Sequence, residues 1–329
     1  MKNWMLLAAS VVLAGSAAAA PQDCKLMRIE EWPVRLERNL PIIDGEINGQ
    51  KVGILLDTGA ERSVVTRSAA TRLMLSRYDL ASSRLYAVAT DKPVEAVQID
   101  EFRIGPAVRK NWNVLLAAEH DFGAEVSLIL GEDFFSAVDV EFDFPNRAVR
   151  LYQAKDCDGV SLAYWAKDGA GEAALEPGAK TTFTVAVNGR PMLALLDTGA
   201  SVSALTTSHA ARYGVTTKSP GVTTAGCSIG IGRKPVDYWS GPFESFAIGN
   251  EVIRNPTLRF ADIFKDMVFA DAGGRMPSYF ADLPQMVLGV DFLRAHRVYV
   301  ARSQRKLYFT YTGGTVFPVG AAKGCQDLR

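Results

Sequence analysis

Two aspartates, each followed by Thr-Gly-Ala, are the residues whose types and spacing point most directly to chemistry. The run Leu-Leu-Asp-Thr-Gly-Ala occurs twice, with Asp57 in the first copy and Asp197 in the second. An ionised carboxylate directly after an apolar strand is costly to bury unless it is paired or hydrogen-bonded. A single Asp-Thr-Gly is explained as well by an ordinary turn, in which the aspartate hydrogen-bonds its own backbone. Two copies call for a common explanation.

Two carboxylates that meet can carry out acid–base chemistry. At a separation of about 3 Å both cannot ionise, so the pair shares one proton. One group is then a base and the other an acid at the same pH. This combination can activate a water for attack on an amide while it protonates the carbonyl or the leaving nitrogen. The pair Asp57 and Asp197 therefore predicts amide hydrolysis.

The match between the two copies extends to the elements that must position the aspartates. An Asn-Gly pair between apolar runs begins nine residues before each aspartate, at Asn48 and Asn188. Such a pair predicts a hairpin, because both residues tolerate the positive φ of a type I′ turn. Each unit thus begins with a hairpin, 42–47 with 52–56 and 183–187 with 192–196. Thr66 and Thr206 precede Ala-rich stretches and are predicted to cap short helices at 68–73 and 208–213.

A second block recurs downstream in both units. Leu-Ile-Leu-Gly-Glu-Asp-Phe at 128–134 corresponds to Met-Val-Leu-Gly-Val-Asp-Phe at 286–292. Apolar runs then predict closing hairpins, 138–144 with 148–152 and 298–300 with 306–311. Two blocks in the same order indicate a duplication. Each unit is predicted to be a barrel-like all-β domain with one or two small helices. The second unit is longer, and its extra residues are assigned to 260–285.

On these motifs the sequence resembles the aspartic protease superfamily, with spacing closest to its retropepsin-like (retroviral-type) members. The resemblance covers about residues 41–152 and 181–311. It implies an all-β fold of two tandem retropepsin-like β-barrel lobes, related by a pseudo-twofold axis and fused as in pepsin-like enzymes. It also implies that Asp57 and Asp197 are catalytic. Thr58 and Thr198 would cross-brace the two loops, and Gly59 and Gly199 would permit close approach of the backbone. Gly131 and Gly289 would pack beneath the site.

The family also places a mobile hairpin, the flap, over the substrate and between the two motif blocks. In the second unit the flap candidates are Gly226, Cys227, Ser228, Ile229 and Gly230. The corresponding place in the first unit, around 86–94, has no glycine, so the unit that supplies a working flap is left open. An ordinary surface hairpin explains either segment nearly as well. The same residues match the G-x-S-x-G elbow of serine hydrolases, but Gly232 and Pro235 follow where that motif requires a helix.

The N-terminus predicts export. Lys2 is followed by an apolar run at 4–15 and small residues at 16–20, the order of a cleaved signal peptide, here assigned to residues 1–20. The run is shorter than the roughly 20 residues of a spanning helix, so no stable membrane insertion is expected after cleavage. The predicted domains are an N-terminal lobe at 21–153, a linker at 154–180 and a C-terminal lobe at 181–329. The predicted location is periplasmic or secreted.

The amino-acid composition limits the classes of partner and cofactor that are expected. Lys+Arg and Asp+Glu are equal at 36 each, so neither nucleic acid nor an anionic membrane is expected. The three histidines are scattered and no C-x-x-C occurs, so no metal or other cofactor is expected. In an exported protein the four cysteines allow 3 pairings. We prefer a pair that brackets the first unit, Cys24 with Cys157, over the alternatives that include Cys227 and Cys325.

These observations predict an aspartic endopeptidase for peptide or protein substrates, processing exported or envelope proteins as a monomer with an internal pseudo-dimer. One alternative is a catalytically silent protease-fold module that binds peptides. Another keeps the chemistry but pairs units across two chains. Ala60 and Ala200 lack the hydroxyl that pepsin-like enzymes usually have after the glycine. The pair is therefore expected to titrate higher than a pepsin-type pair and to act in mildly acidic conditions.

Overall fold

The computed structural model describes residues 23–79, 95–117, 122, 125–229, 235–264, 283–320 and 324–325. Its strands, in chain order, are β1 (Lys25–Pro33), β2 (Arg35–Glu37), β3 (Leu40–Ile47), β4 (Gln50–Leu56), β5 (Val64–Thr66), β6 (Arg77–Asp79), β7 (Glu95–Ile104), β8 (Ala107–Ala117), β9 (Val126–Leu130), β10 (Asp139–Asp143), β11 (Ala148–Lys155), β12 (Gly171–Ala174), β13 (Thr182–Val187), β14 (Arg190–Leu196), β15 (Ala204–Thr206), β16 (Thr223–Ile229), β17 (Pro235–Pro242), β18 (Ser245–Ile248), β19 (Glu251–Arg254), β20 (Thr257–Ala261), β21 (Met286–Leu288), β22 (His296–Ala301) and β23 (Lys306–Tyr311). Its short helices are α1 (Arg67–Arg72), α2 (Glu132–Phe135), α3 (Thr207–Arg212) and α4 (Val290–Leu293).

These strands form three sheets. The first lobe is an eight-stranded sheet in the order β2-β3-β4-β9-β5-β8-β7-β6, and the second lobe is a nine-stranded sheet in the order β16-β17-β20-β15-β21-β14-β13-β18-β19. A six-stranded sheet, β1-β11-β10-β22-β23-β12, joins the two and is called the interlobe sheet below. The predicted all-β fold with two tandem lobes is confirmed.

The strands that carry the two motif blocks are arranged in the same way in both lobes. β4 runs parallel to β9, and β14 runs parallel to β21. β5 is antiparallel to β9 and parallel to β8, and β15 has the same relation to β21 and β20. The corresponding order is the pseudo-twofold relation that the duplicated sequence predicts.

The opening hairpins form at the Asn-Gly turns. β3 pairs with β4 and β13 pairs with β14, both antiparallel. Asn48 and Gly49 have φ of 50° and 76°, and Asn188 and Gly189 have 48° and 72°. These positive values are the conformation for which asparagine and glycine are suited. The turns therefore fix the register that brings each aspartate to the end of its strand.

The predicted short helices are also present, each with a different cap. The Thr66 side chain accepts a hydrogen bond from the Ala69 backbone N–H at 3.2 Å, as an N-cap does. Thr206 occupies the same place before α3, but its hydroxyl hydrogen-bonds the Nδ1 atom of His209 at 2.8 Å instead.

The two closing hairpins pair with each other across the lobes. β10 with β11 and β22 with β23 are antiparallel hairpins, as predicted. β10 then pairs with β22, with Val140 opposite Val300 and Phe142 opposite Val298. The sequence patterns predict each hairpin but not this joint sheet. One face of this sheet packs into the main hydrophobic core, so the two lobes share one interior.

Buried ion pairs hold the interlobe sheet together. The Glu141 and Asp143 side chains are 0% and 1% exposed. The Nη2 atom of Arg297 lies 2.9 Å from Glu141 Oε1, and the Nη1 atom of Arg150 lies 2.9 Å from Asp143 Oδ2. Buried carboxylates need such partners, because an unpaired buried charge is strongly destabilising.

The segment between the lobes packs against the interlobe sheet. Leu162 is buried in a cluster with Tyr152 and Tyr299, and the Trp165 indole N–H donates to Thr310 Oγ1 at 2.8 Å. Further along, β12 pairs with β23. The segment is therefore part of the folded body over much of its length.

Two disulfides are present, and one is the preferred pairing. Cys24 is bonded to Cys157, which ties the start of β1 to the residues that follow β11. Cys227 is bonded to Cys325. The predicted signal peptide at 1–20 and most of the extra stretch at 260–285 lie outside the described residues. Within the described part of the chain, no helix has the length and apolar character needed to cross a membrane.

Candidate active site

The two aspartates stand at the ends of β4 and β14, held there by the neighbouring parallel strands. The Asp57 backbone N–H donates to the Leu130 carbonyl at 3.0 Å, and that of Asp197 donates to the Leu288 carbonyl at 3.0 Å. The second motif block of each unit therefore anchors the loop that follows the first block. This explains why both blocks recur together.

Each Thr-Gly-Ala turn folds back onto its own carboxylate. The backbone N–H groups of Gly59 and Ala60 donate to Asp57 Oδ1 at 2.9 and 3.0 Å. In the second loop the same groups of residues 199 and 200 donate to Asp197 Oδ1 at 2.8 and 3.1 Å. One oxygen of each carboxyl group is thus fixed by the backbone, and its rotation is restricted.

The two loops are cross-braced by their threonines. Thr58 Oγ1 donates to the Leu196 carbonyl at 2.7 Å, and Thr198 Oγ1 donates to the Leu56 carbonyl at 2.8 Å. Each threonine hydroxyl also accepts from the backbone N–H of the other threonine, at 3.0 and 3.1 Å. Both side chains are buried, at 1% and 0% exposed. Four reciprocal hydrogen bonds therefore lock the loops of the two lobes together.

Glycine is required beside each threonine because the opposite carboxylate approaches so closely. A Cβ atom added to Gly59 would overlap the carboxylate of Asp197, and one added to Gly199 would overlap that of Asp57. The two carboxyl groups therefore lie side by side where the loops meet. The structure thus brings together Asp57, Asp197 and the four loop residues that the sequence singled out.

Burial makes this pair hold a proton. Removal from water raises the pKa of Asp57 above 3.8, against the lowering effect of its backbone hydrogen bonds from Ala60 and Gly59. Burial, followed by the negative charge of Asp57, raises the pKa of Asp197 well above 3.8. Two close carboxylates cannot both ionise, so the pair shares one proton.

Each Asp-Thr-Gly loop is also held by a serine–aspartate hydrogen bond that the sequence analysis did not predict. The Ser63 hydroxyl and N–H both donate to Asp133 Oδ1, at 2.7 and 2.8 Å, and Ser63 Oγ accepts from the Gly131 N–H at 3.1 Å. Ser203 makes the same contacts with Asp291 and Gly289. The sequence does mark these residues by equal spacing in the two units. Each serine lies six residues after the Asp of its Asp-Thr-Gly, and its aspartate partner lies two residues after the glycine of the second block.

The glycines of the second block are packed against the same loops. A Cβ atom at Gly131 would lie 2.7 Å from the Ala60 carbonyl oxygen, and one at Gly289 would lie 2.6 Å from that of Ala200. Real side chains essentially never make such contacts. Both glycines therefore lie beneath the site as structural residues, as the resemblance implied.

The flap candidates of the second unit lie in a hairpin of β16 and β17. Gly226, with φ of 127°, follows a bulge in β16, and Cys227 forms the disulfide to Cys325. Ser228 pairs with Val236 and so lies within a strand of the hairpin, whereas the serine of a serine-hydrolase elbow lies on a sharp turn between a strand and a helix. Gly230 lies outside the described residues, as does the first-unit segment 86–94.

The two lobes differ in the strand that runs parallel to β5 in the first lobe and to β15 in the second. Arg259 on β20 pairs in register with Ala204, whereas Leu115 pairs with Val64 at the corresponding place in the first lobe. The Nη1 atom of Arg259 lies 3.4 Å from Asp291 Oδ2, and its Nη2 atom donates to the Pro318 carbonyl at 2.8 Å. The loop that carries Asp197 is therefore supported, through Asp291, by a guanidinium at a register position where the described part of the first lobe has Leu115.

Two β lobes with cross-braced Asp-Thr-Gly loops and a proton shared between two aspartates define the aspartic protease class. The chain matches the Aspartyl protease family over residues 43–134 and again over 183–292. It belongs to this family, with the family's domain present twice, and the resemblance read from the motifs is confirmed.

Comparison with solved structures gives a match to a crystal structure of a retropepsin-like aspartic protease from Rickettsia conorii. The identity is 19%, the match covers 40% of this chain and 95% of that chain, and the TM-score is 0.27. A search of curated proteins gives no match to this chain.

Proposed function

We propose that this protein is an aspartic endopeptidase that hydrolyses peptide bonds with a water activated between Asp57 and Asp197. The observation that supports this most strongly is the contact between the two carboxyl groups, held by the reciprocal Thr58 and Thr198 hydrogen bonds. A buried proton-sharing pair has one base and one acid at the same pH. A role limited to binding gives no reason to bury two carboxylates together.

The aspartate pair supplies a base and an acid together. Burial raises the pKa of both Asp57 and Asp197, and their mutual repulsion keeps one proton on the pair. The ionised carboxyl group takes a proton from the attacking water, and the protonated one donates its proton to the substrate carbonyl. The backbone N–H groups fix both carboxyl planes, so little reorganisation is needed as charge develops.

The proposed site of action is outside the cytoplasm. Two disulfides are typical of oxidising compartments, and the predicted signal peptide at 1–20 accounts for the route. Within this proposal the substrates are exported or envelope proteins in the periplasm or secreted space. The chain acts as a monomer, because its two units supply both halves of the site.

The test is cleavage of a peptide library, with cleavage sites identified by mass spectrometry. Asp57→Asn and Asp197→Asn should each abolish cleavage while they leave the folded structure intact by circular dichroism. Asp44→Asn, a change at an exposed carboxylate in the same lobe, is the matched control and should cleave like the wild type. Undiminished cleavage by both site variants would end the proposal. Peptide binding without cleavage by the wild type would support the catalytically silent module instead.

Sedimentation of the active enzyme tests the assembly. A cleaving species with the mass of one chain supports the internal pair. Activity confined to a two-chain species would assign the site to units from different chains.

A further inference from the structure

A buried arginine stands behind the loop that carries Asp197. Arg259 lies in β20, and its side chain is 10% exposed. A charged side chain is almost never buried to this extent unless it is paired. The register position that Arg259 occupies is held by Leu115 in the first lobe. The contacts of the guanidinium therefore show what the second lobe uses it for.

Two groups contact this guanidinium. The Nη1 atom of Arg259 lies 3.4 Å from Asp291 Oδ2, and its Nη2 atom donates to the Pro318 carbonyl at 2.8 Å. Its Nε–H group is buried and has no hydrogen-bond partner in the part of the chain that the structure describes. An N–H group left unpaired away from water is unfavourable. A leucine, which the first lobe has at this position, would avoid that cost.

Asp291 depends on Arg259 because water does not reach it. The Asp291 side chain is 1% exposed, whereas its first-lobe counterpart Asp133 is exposed. Asp291 Oδ1 accepts from the N–H and the hydroxyl of Ser203 at 2.8 and 2.5 Å. Burial raises the pKa of Asp291, and the hydrogen bonds from Ser203 and the charge of Arg259 oppose this rise. Arg259 thus favours the ionised carboxylate, the form that accepts hydrogen bonds most strongly.

Asp291 belongs to the motif block that holds the loop in place. The Leu288 carbonyl accepts from the Asp197 N–H at 3.0 Å, and the Val290 N–H donates to the Ala200 carbonyl at 2.8 Å. The block therefore contacts the loop on both sides of its Thr-Gly turn. A carboxylate fixed at the end of this block fixes the loop that the block holds.

Stability alone gives a poor account of this arrangement. A buried ion pair is weak evidence for stability, because well-packed apolar residues can often replace such a pair without loss. The first lobe has an apolar residue, Leu115, at this register position. What the buried pair adds is a fixed orientation of one carboxylate. Orientation matters for rate, since a displacement of about 1 Å at a reacting group can cost about a hundredfold.

We propose that Arg259 is a positioning residue: acting through Asp291 and Ser203, it orients the loop that carries Asp197. The inference rests on the proposed function, because Asp197 is one half of the aspartate pair. The Pro318 carbonyl holds the guanidinium from the other side. The C-terminal segment therefore contributes to the orientation of a loop that it does not itself form.

The first test separates turnover from substrate binding. Arg259→Leu, which installs the residue that the first lobe has at this position, should lower kcat about ten- to a hundredfold. It should change KM by less than about twofold, because a positioning residue does not touch the peptide. Arg259→Lys keeps the positive charge and should restore most of kcat. Arg190→Leu removes an exposed guanidinium of the same lobe, which lies over the Tyr213 ring, and should change neither quantity. A lower thermal midpoint with unchanged kcat would overturn the inference.

A double-mutant cycle tests the route through Ser203. In the Ser203→Ala background the link to the loop is already broken, so Arg259→Leu should lower kcat by less than about threefold. Ser63 occupies the same place in the first lobe, and in the Ser63→Ala background Arg259→Leu should keep its full effect. Equal effects of Arg259→Leu in the two backgrounds would show that Arg259 does not act through Ser203 and would overturn the inference.

A third readout does not depend on activity. The backbone N–H groups of Gly199 and Ala200 donate to Asp197 Oδ1, so their resonances in the ¹⁵N-labelled protein should shift in Arg259→Leu. Those of Gly59 and Ala60 should stay in place. Cleavage by the wild type together with unshifted resonances at residues 199 and 200 overturns this inference alone. A wild type that cleaves no peptide overturns the proposed function and this inference together.

Discussion

Removal of one cross-bracing hydroxyl should destabilise the protein far more than removal of one methyl group at the same position. Thr58→Ala deletes the donor to the Leu196 carbonyl and the acceptor of the Thr198 N–H. Both partners are backbone groups at a site that is almost completely buried. Each is left without its hydrogen bond, at a cost of about 1–3 kcal/mol per group. We therefore expect a loss of about 2–6 kcal/mol in the free energy of unfolding.

Thr58→Ser is the matched control because it keeps the hydroxyl and loses only the methyl group. Its expected cost is about 1 kcal/mol. Urea denaturation with linear extrapolation measures both values at one pH. Since the brace is reciprocal, Thr198→Ala should cost about as much as Thr58→Ala. The reasoning is refuted if Thr58→Ala and Thr58→Ser differ by less than about 0.5 kcal/mol, because the cross-brace would then contribute nothing beyond packing.

Three further predictions concern charge and covalent restraint. Because the pKa of Asp197 is raised in the folded state, the folded protein binds a proton that the unfolded chain releases, so stability falls as pH rises from 3.8 through the raised pKa. Asp197→Asn should therefore unfold at a higher temperature than the wild type at pH 7. If this difference in unfolding temperature does not become smaller towards pH 4, the reasoning is contradicted. Ala200→Ser adds a hydroxyl that can donate to the carboxylate and favour its ionised form. The acidic limb of the pH profile of kcat/KM should therefore move to lower pH. A shift of this limb to higher pH would show that the added hydroxyl does not lower the pKa of the pair. Replacing Cys227 and Cys325 by serine opens a link across 98 residues and should cost up to about 5 kcal/mol in urea denaturation. It should also lower kcat/KM, whereas loss of the other disulfide should lower stability alone.

Features that depend on neighbouring residues were predictable from the sequence. The hairpin turns at Asn48 and Asn188 follow from the tolerance of Asn-Gly for positive φ. The cap at Thr66 is equally local. The family resemblance then supplied what local patterns cannot, namely that the threonines of two distant loops meet.

Contacts set by the relative placement of the lobes were not predictable in this way. The pairing of β10 with β22 joins residues of two separate units, and no pattern inside either hairpin marks it. The choice of Cys325 as partner of Cys227 depends on the path of the C-terminal segment.

The interlobe sheet shows how far the two copies have diverged as binding partners. Asp139 and Arg297 occupy the same place in their hairpins, eight residues beyond the second-block glycine, and Glu141 corresponds in the same way to Tyr299. In the sheet, Glu141 lies opposite Tyr299 and pairs with Arg297. Two first-lobe hairpins paired in this register would instead bring Glu141 against another Glu141, and like charges opposite each other are destabilising.

This divergence makes the lobes complementary to each other and not to themselves. In the ion pairs that join the two copies, Glu141 and Glu132 of the first copy contribute the carboxylates, and Arg297 and Arg302 of the second copy contribute the guanidinium groups. If the two lobes were produced as separate polypeptides, they should select one another and form a heteropair. The charge difference between the copies therefore favours pairing of unlike lobes over pairing of like ones.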